Sequence, residues 1–228
     1  MANYRGGRGG LPAATPVVKN LIIINILVWL AELCFDKPAM FDGGGYEVPA
    51  MDLYGALWSL HSGNFKIWQL VTHMFMHEAW EPGGPGTFTP VFSHIIFNMF
   101  ALYIFGSILE NFWGAKRFLQ FYMICGVLAG VTQLIFGGDG YAIGASGAVM
   151  GVMAGFAYLF PNTDLYLMFI PIPIKAKYVV GGLIAFDVYG TVSTESGDSV
   201  AHWAHLGGAL VGILVVIIWN KTRKRDFY

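Results

Sequence analysis

The sequence predicts an all-α polytopic membrane protein, with six transmembrane helices and a long interfacial first loop. Three observations carry this expectation. Of the 228 residues, 56% are hydrophobic and only 12% are charged, against about 25% charged in an average soluble domain. Six apolar stretches come close to the ~20 residues that cross the hydrocarbon of a bilayer. The basic residues fall almost entirely on alternate connections between those stretches. A net charge of −1 gives no reason to expect a nucleic-acid partner; the partner the composition calls for is the lipid bilayer.

Taken in order, residues 1–16 carry Gly and Arg and read as a flexible cytoplasmic tail. No apolar core followed by a small-residue cleavage site precedes span one, 17–35, which therefore reads as a retained helix. Residues 51–77 are apolar but broken by Gly55, Gly63 and Lys66, with Trp58, Phe65 and Trp68 spread among them. An in-plane segment fits this pattern better than a span, with Trp58 anchored at the headgroups. His73 and His77, one turn apart, are expected to make internal hydrogen bonds. The Pro- and Gly-rich stretch 78–90 reads as a surface loop. Spans two to six follow at 91–109, 118–136, 141–160, 178–192 and 200–219. The fifth is short and carries Asp187 near its outer end, read as solvated. Cys34 and Cys125 fall in different spans and read as small hydrophobes rather than a disulfide. One six-helix domain over 17–220 results, with a basic cytoplasmic tail at 221–228.

Orientation follows from the thirteen Lys and Arg residues. Arg5, Arg8, Lys19, Lys116, Arg117, Lys175, Lys177, Lys221, Arg223, Lys224 and Arg225 gather on one side; only Lys37 and Lys66 lie on the other, both in the first loop. The positive-inside rule then puts both termini in the cytoplasm.

Two polar residues stand out within the spans. Ser146 lies in Gly144-Ala145-Ser146-Gly147, and His205 follows Ala204 near the start of the last span. Polar side chains at membrane depth are costly enough to be functional candidates by default, and these two are the nucleophile and base that acyl transfer requires. Spans two, four and six all begin on the outer face, and their first turns hold His94 with Asn98, Ser146, and His202 with His205. All these groups share one leaflet. A count of about five or six residues at ~1.5 Å rise puts Ser146 and His205 roughly 8 Å below the outer boundary, where a local cavity would admit water. Gly147, Gly151 and Gly155 recur every fourth residue in span four, as do Gly208 and Gly212 in span six. Such stripes let helix backbones approach closely, and usually do no more than assemble membrane helices. Here they end at Ser and His: His205, three residues before Gly208, shares its face, so glycine-to-glycine packing predicts contact between imidazole and hydroxyl.

These residues resemble the rhomboid family of intramembrane serine proteases. The resemblance rests on Gly144-Ala145-Ser146-Gly147, on Ala204-His205 with Gly208 and Gly212, and on His94-Ile95-Ile96-Phe97-Asn98. It also takes in Trp68, the run from Thr72-His73 to His77, and Gly106 with Glu110 and Gly114. It covers roughly residues 68–219 with span order and motif order both agreeing. It implies a rhomboid-like bundle in which Ser146 is the nucleophile and His205 its general base, a dyad without a carboxylate. His94, Asn98 and the backbone N–H of Ser146 would donate to the oxyanion. Gly144, Gly147, Gly151, Gly208, Gly212 and Met150 would pack around the site, with no metal and no cofactor. The first loop would shape a lateral entrance and span five would act as a substrate gate. The expected activity is endoproteolysis of single-span transmembrane proteins near the outer leaflet, and the expected setting is a bacterial plasma membrane.

Departures from the family pattern qualify that transfer. Trp68 is followed by Gln69 where many members have arginine, so a salt bridge from that arginine is missing. Met150 stands where an aromatic often packs on the imidazole; a thioether fills the space but orients the ring less firmly. The stretch 78–90 is longer than the family's usual link. Two other readings stay open: a metal-dependent membrane protein using the His73/His77 and His202/His205 pairs, weakened by the lack of a His-Glu-x-x-His motif, and a rhomboid-like pseudoprotease that binds membrane helices without cutting them. As an enzyme, the chain should prefer helices that unwind easily, with Gly, Ser, Ala or Pro near the outer end and a small residue on the P1 side of the cut.

Overall fold

A computed structural model describes residues 13–39, 47–83, 87–167, 170–193 and 200–223. The expectations for residues 1–12 and 224–228 lie outside the described residues. Helix α1, Pro16–Phe35, opens on Pro at its first position, where the missing N–H costs nothing. Glu110 supplies its cap. The Val17 and Val18 N–H groups donate to the Glu110 carboxylate at 3.0 and 2.9 Å, and the Thr15 hydroxyl donates to it as well.

The first loop is more structured than its composition suggests. It holds α2, Ala50–Gly55; β1, Leu57–Trp58; and α3, Gln69–Thr72, which runs into a 3-10 turn at His73–Phe75. Strands β2, Trp80–Pro82, and β3, Phe88–Pro90, pair as an antiparallel hairpin within the stretch read as plain surface loop. The half-buried Trp58 donates its indole N–H to the Asp52 carbonyl at 3.0 Å, and its ring packs 4.7 Å from Tyr141.

Helix α4, Ser93–Ala101, continues through a π-helical turn, Leu102–Gly106, into α5, Ser107–Trp113. This span starts later and runs further than the predicted 91–109. Gly114, at φ 83°, turns the chain straight into α6, Ala115–Phe136. Strand β4, Tyr141–Ala142, pairs with β1, and α7 begins only at Ser146, ending at Leu159. The predicted span 141–160 is therefore helical only from Ser146, its first residues being strand and a turn at Gly144, whose φ of 126° is a conformation L side chains rarely adopt. Strands β5, Asp164–Leu167, and β6, Ile170–Lys175, form a second hairpin before α8, Ala176–Val192. The last helix is α9, His202–Arg223.

Among the described residues, four helices are long and apolar enough to cross a membrane: Pro16–Phe35, Ser93–Trp113, Ala115–Phe136 and His202–Thr222. Of the six predicted spans, those at α7 (14 residues) and α8 (17 residues) fall short of that length. Helix α7 is the centre of the molecule, with every residue from Gly147 to Ala157 buried. Phe118, Phe121 and Tyr122 of α6 and Phe156 of α7 are inaccessible to solvent. Cys34 is exposed and Cys125 buried, and both are free thiols.

Candidate active site

Ser146 is the first residue of α7, so its own N–H and the next ones lie in the turn that has no acceptors within the helix. Gly144 brings the chain there. A Cβ at this residue would sit 2.8 Å from His94 Nε2 and 3.6 Å from Ser146 Oγ, so only glycine lets both side chains flank its backbone. Its N–H donates to the His73 carbonyl at 2.9 Å, tying the approach to the first loop.

The glycine stripes bring α7 and α9 into backbone contact. A Cβ at Gly208 would overlap the Gly147 carbonyl oxygen, and one at Gly212 the Gly151 carbonyl oxygen. Helix α6 closes on the same stripe: added atoms at Gly147 and Gly151 would meet Ala129 at 2.7 Å and Cys125 at 2.6 Å, both on α6. Helix α6 also receives the Ala204 N–H on Gln133 Oε1 at 3.2 Å. Helices α6 and α7 thus fix the first turn of α9, and His205 Nε2 lies 2.8 Å from Ser146 Oγ.

The surprise is Asp187. It is not solvated at the mouth of a cavity but 3% exposed, with Oδ1 2.8 Å from His202 Nδ1 and 2.9 Å from His205 Nδ1. An ionised carboxylate only accepts, so in each neutral ring the hydrogen sits on Nδ1. His205 then presents an unprotonated Nε2 to the serine hydroxyl. The expected dyad without a carboxylate is, in this structure, a chain of four hydrogen-bonded groups drawn from α7, α8 and α9. The donor atoms of Asp187, His202 and His205 lie within 4.8 Å of one another. Neighbouring donors around a tetrahedral zinc with bonds of about 2.0–2.1 Å sit roughly 3.3 Å apart; separations of 2.8 and 2.9 Å are those of hydrogen bonds.

His94 and Asn98 line α4 on the far side of Gly144. Asn98 is 7% exposed, and one hydrogen of its Nδ2 goes to the His94 carbonyl at 2.9 Å. The His94 ring meets His77 edge-on at 5.0 Å, and the His77 N–H donates to Glu32 of α1 at 3.2 Å. Met150, one turn beyond Ser146, is buried. Burial holds the His73 imidazole down at about 4; burial, then the proximity of His94, holds His77 down at about 3. Both are neutral at pH 7, and His73 Nδ1 donates to the Gln69 carbonyl at 2.6 Å.

Gln69 explains how the loop dispenses with an arginine. Fully buried, it accepts the Trp58 and Lys66 N–H groups on Oε1 and donates from Nε2 to the Tyr54 and Asn64 carbonyls. Sequence reasoning missed this role, as it missed Asp187 with His202. An aspartate in an apolar stretch, and two histidines three apart, were the available signals.

The molecule so built is an integral membrane protein whose apolar helices carry a serine, two histidines and an aspartate in one hydrogen-bonded chain. A family model for the rhomboid domain matches residues 64–221, and the chain belongs to the rhomboid family. It is similar to rhomboid protein 1, mitochondrial, of Saccharomyces cerevisiae: 26% identical, with 90% of this chain and 64% of that one covered. Rhomboid-like protein 11, chloroplastic, of Arabidopsis thaliana is 28% identical over 88% of this chain and 64% of its own length. Presenilin-associated rhomboid-like protein, mitochondrial, of Homo sapiens is 33% identical over 56% of this chain and 36% of its own. The chain thus spans between about a third and two thirds of the length of these relatives.

Proposed function

We propose that this protein is an intramembrane serine endopeptidase that cuts single-span transmembrane proteins near the outer leaflet. The observation that carries the proposal is the 2.8 Å approach of His205 Nε2 to Ser146 Oγ, a base within hydrogen-bond reach of a nucleophile. Ser146 Oγ attacks the peptide carbonyl while His205 takes its proton, and the tetrahedral oxyanion is held by the Ser146 N–H, His94 and Asn98. The N-terminus of α7 adds its partial positive charge there. No metal takes part in this scheme.

The proposal includes a domain of six membrane-crossing segments over 17–220, with α7 and α8 as the two short ones. Both termini then lie in the cytoplasm of a bacterial plasma membrane. The relatives named above are mitochondrial and chloroplastic, so cell fractionation, with accessibility labelling of a cysteine placed in each tail, decides that part. A small residue is expected on the P1 side of the cut, given the close glycine packing around Ser146.

The test is reconstitution of the purified chain with a single-span substrate beside a Ser146→Ala control. Cleavage by the first alone, with fluorophosphonate labelling of Ser146, is the expected result. Equal cleavage by both, or none by either, counts against the serine enzyme, and substrate binding with no cleavage by either returns the pseudoprotease reading. Loss of activity on chelation without serine labelling returns the metal-dependent one.

A further inference from the structure

We propose that Asp187 is the positioning residue of His205 and that His202 holds Asp187 in place. This deepens the protease reading and rests on it. The residues around Asp187 on α8 turn outward: Phe186, Val188 and Tyr189 are 59%, 49% and 62% exposed, an apolar face suited to lipid. Asp187 alone in this part of α8 points into the protein. An ionised carboxylate buried in that way is costly unless charge-assisted hydrogen bonds replace its water. It has two, both to Oδ1, from His202 and His205.

His202 is built into the same joint. A Cβ on Gly190, one turn after Asp187, would overlap the His202 ring, and Phe186 meets that ring edge-on at 5.7 Å. The imidazole therefore fills a notch in α8 that glycine leaves open. Its Nδ1–H fixes which way the carboxylate faces, and the carboxylate in turn fixes the ring of His205. This also answers the loss of an aromatic at Met150: orientation comes from a hydrogen bond at Nδ1 rather than from packing on the ring face.

In the reaction, the Ser146 Oγ–C bond forms as the Oγ–H bond breaks. The proton passes to His205 Nε2 and the carbonyl electron pair to the oxyanion. The resulting imidazolium keeps its Nδ1–H on the Asp187 carboxylate, which stays ionised and stabilises it. The same proton then goes to the leaving amine nitrogen as the C–N bond breaks. Among the described residues, the groups facing His205 are Asp187 from α8, Ser146 from α7, His202 from its own helix, and His94 of α4, with which it interacts electrostatically. Asp187 is the anion among them.

Full-length wild type, Asp187→Asn and His202→Phe, in lipid vesicles with a single-span substrate, test the inference. Asp187→Asn should lower kcat by about 10²-fold or more with KM within about twofold, as expected for an interaction made in the transition state. The acid limb of its kcat/KM profile should move to lower pH, since the imidazolium loses its counter-charge. His202→Phe should give a smaller fall in the same direction. A folded Asp187→Asn protein with wild-type kcat and an unmoved acid limb overturns the inference. Imidazole 15N spectra of the wild type provide a readout that needs neither the variant to fold nor the enzyme to turn over. His205 carrying its proton on Nδ1 is expected, and on Nε2 at neutral pH sinks the proposal. A Ser146→Ala control that cleaves like wild type would instead remove the protease reading, and the spectra alone would then judge the role of Asp187.

Discussion

At the scale of single residues, magnitude separates a chemical role from a packing one. Asn98 makes one hydrogen bond to the His94 carbonyl, and a helix hydrogen bond within a membrane protein is worth on the order of 1 kcal/mol. An oxyanion donor is worth about 2.7–4 kcal/mol. We therefore expect Asn98→Ala to lower kcat/KM by about 10²–10³-fold with little change in thermal midpoint; a fall of only a fewfold, tracking lost stability, would assign it to packing. Gly144→Ala should lose activity as well, because the added Cβ meets His94 Nε2 at 2.8 Å and the φ of 126° strains any L residue. Ser146 and His205 were legible because each is a polar intrusion beside a glycine stripe. Asp187 was not, since an acidic residue near the end of a short span looks the same in sequence whether it faces water or two imidazoles. Nor was Gln69, whose four partners are backbone groups scattered from Tyr54 to Lys66.

Among the elements, the joint between α7 and α9 does most to set the site. Gly208→Ala would place a carbon on the Gly147 carbonyl oxygen, so the helices must part or shift, at about 1–3 kcal/mol. The prediction is a lowered thermal midpoint together with slower fluorophosphonate labelling of Ser146. Gly181 and Gly182 of α8 have nothing within 4 Å of an added Cβ, and Gly181→Ala should be neutral or stabilise by about 0.5–1 kcal/mol. If both substitutions behave alike, the close approach is not what holds Ser146 against His205. Helix periodicity made these stripes readable at once. The helix ends were less so: the start of α7 depends on the strand pairing of Tyr141 with Trp58, a contact between residues far apart in the chain.

Over the whole molecule, the two buried histidines of the first loop tie stability to pH. His73 and His77 are held at about 4 and about 3 when folded, against 6.5 when unfolded. Between about pH 6.5 and 4 the unfolded chain therefore binds two protons that the folded chain refuses. Asp52 acts in the opposite sense. Burial, with Asp36 nearby, raises it to about 6 from 3.8, so from pH 6 to 4 the folded chain holds one proton that the unfolded chain lacks. The net difference of one proton lowers the stability contributed by these three groups by about 1.4 kcal/mol for each unit of acidification from pH 6 to 4. Replacing both histidines by Gln removes their share, so the thermal midpoint of that variant in detergent should fall less than the wild type's on acidification from pH 6 to 4; equal slopes would show that the two rings do not refuse their protons. A last consequence belongs to Glu110, whose carboxylate closes the start of α1 from another helix. The family match begins at residue 64, but shared ancestry and folding need not begin at the same residue. A chain started at Gly63 would strand that acid in the interior with all three of its donors missing. It should fail to accumulate, and Glu110→Gln should recover part of the yield.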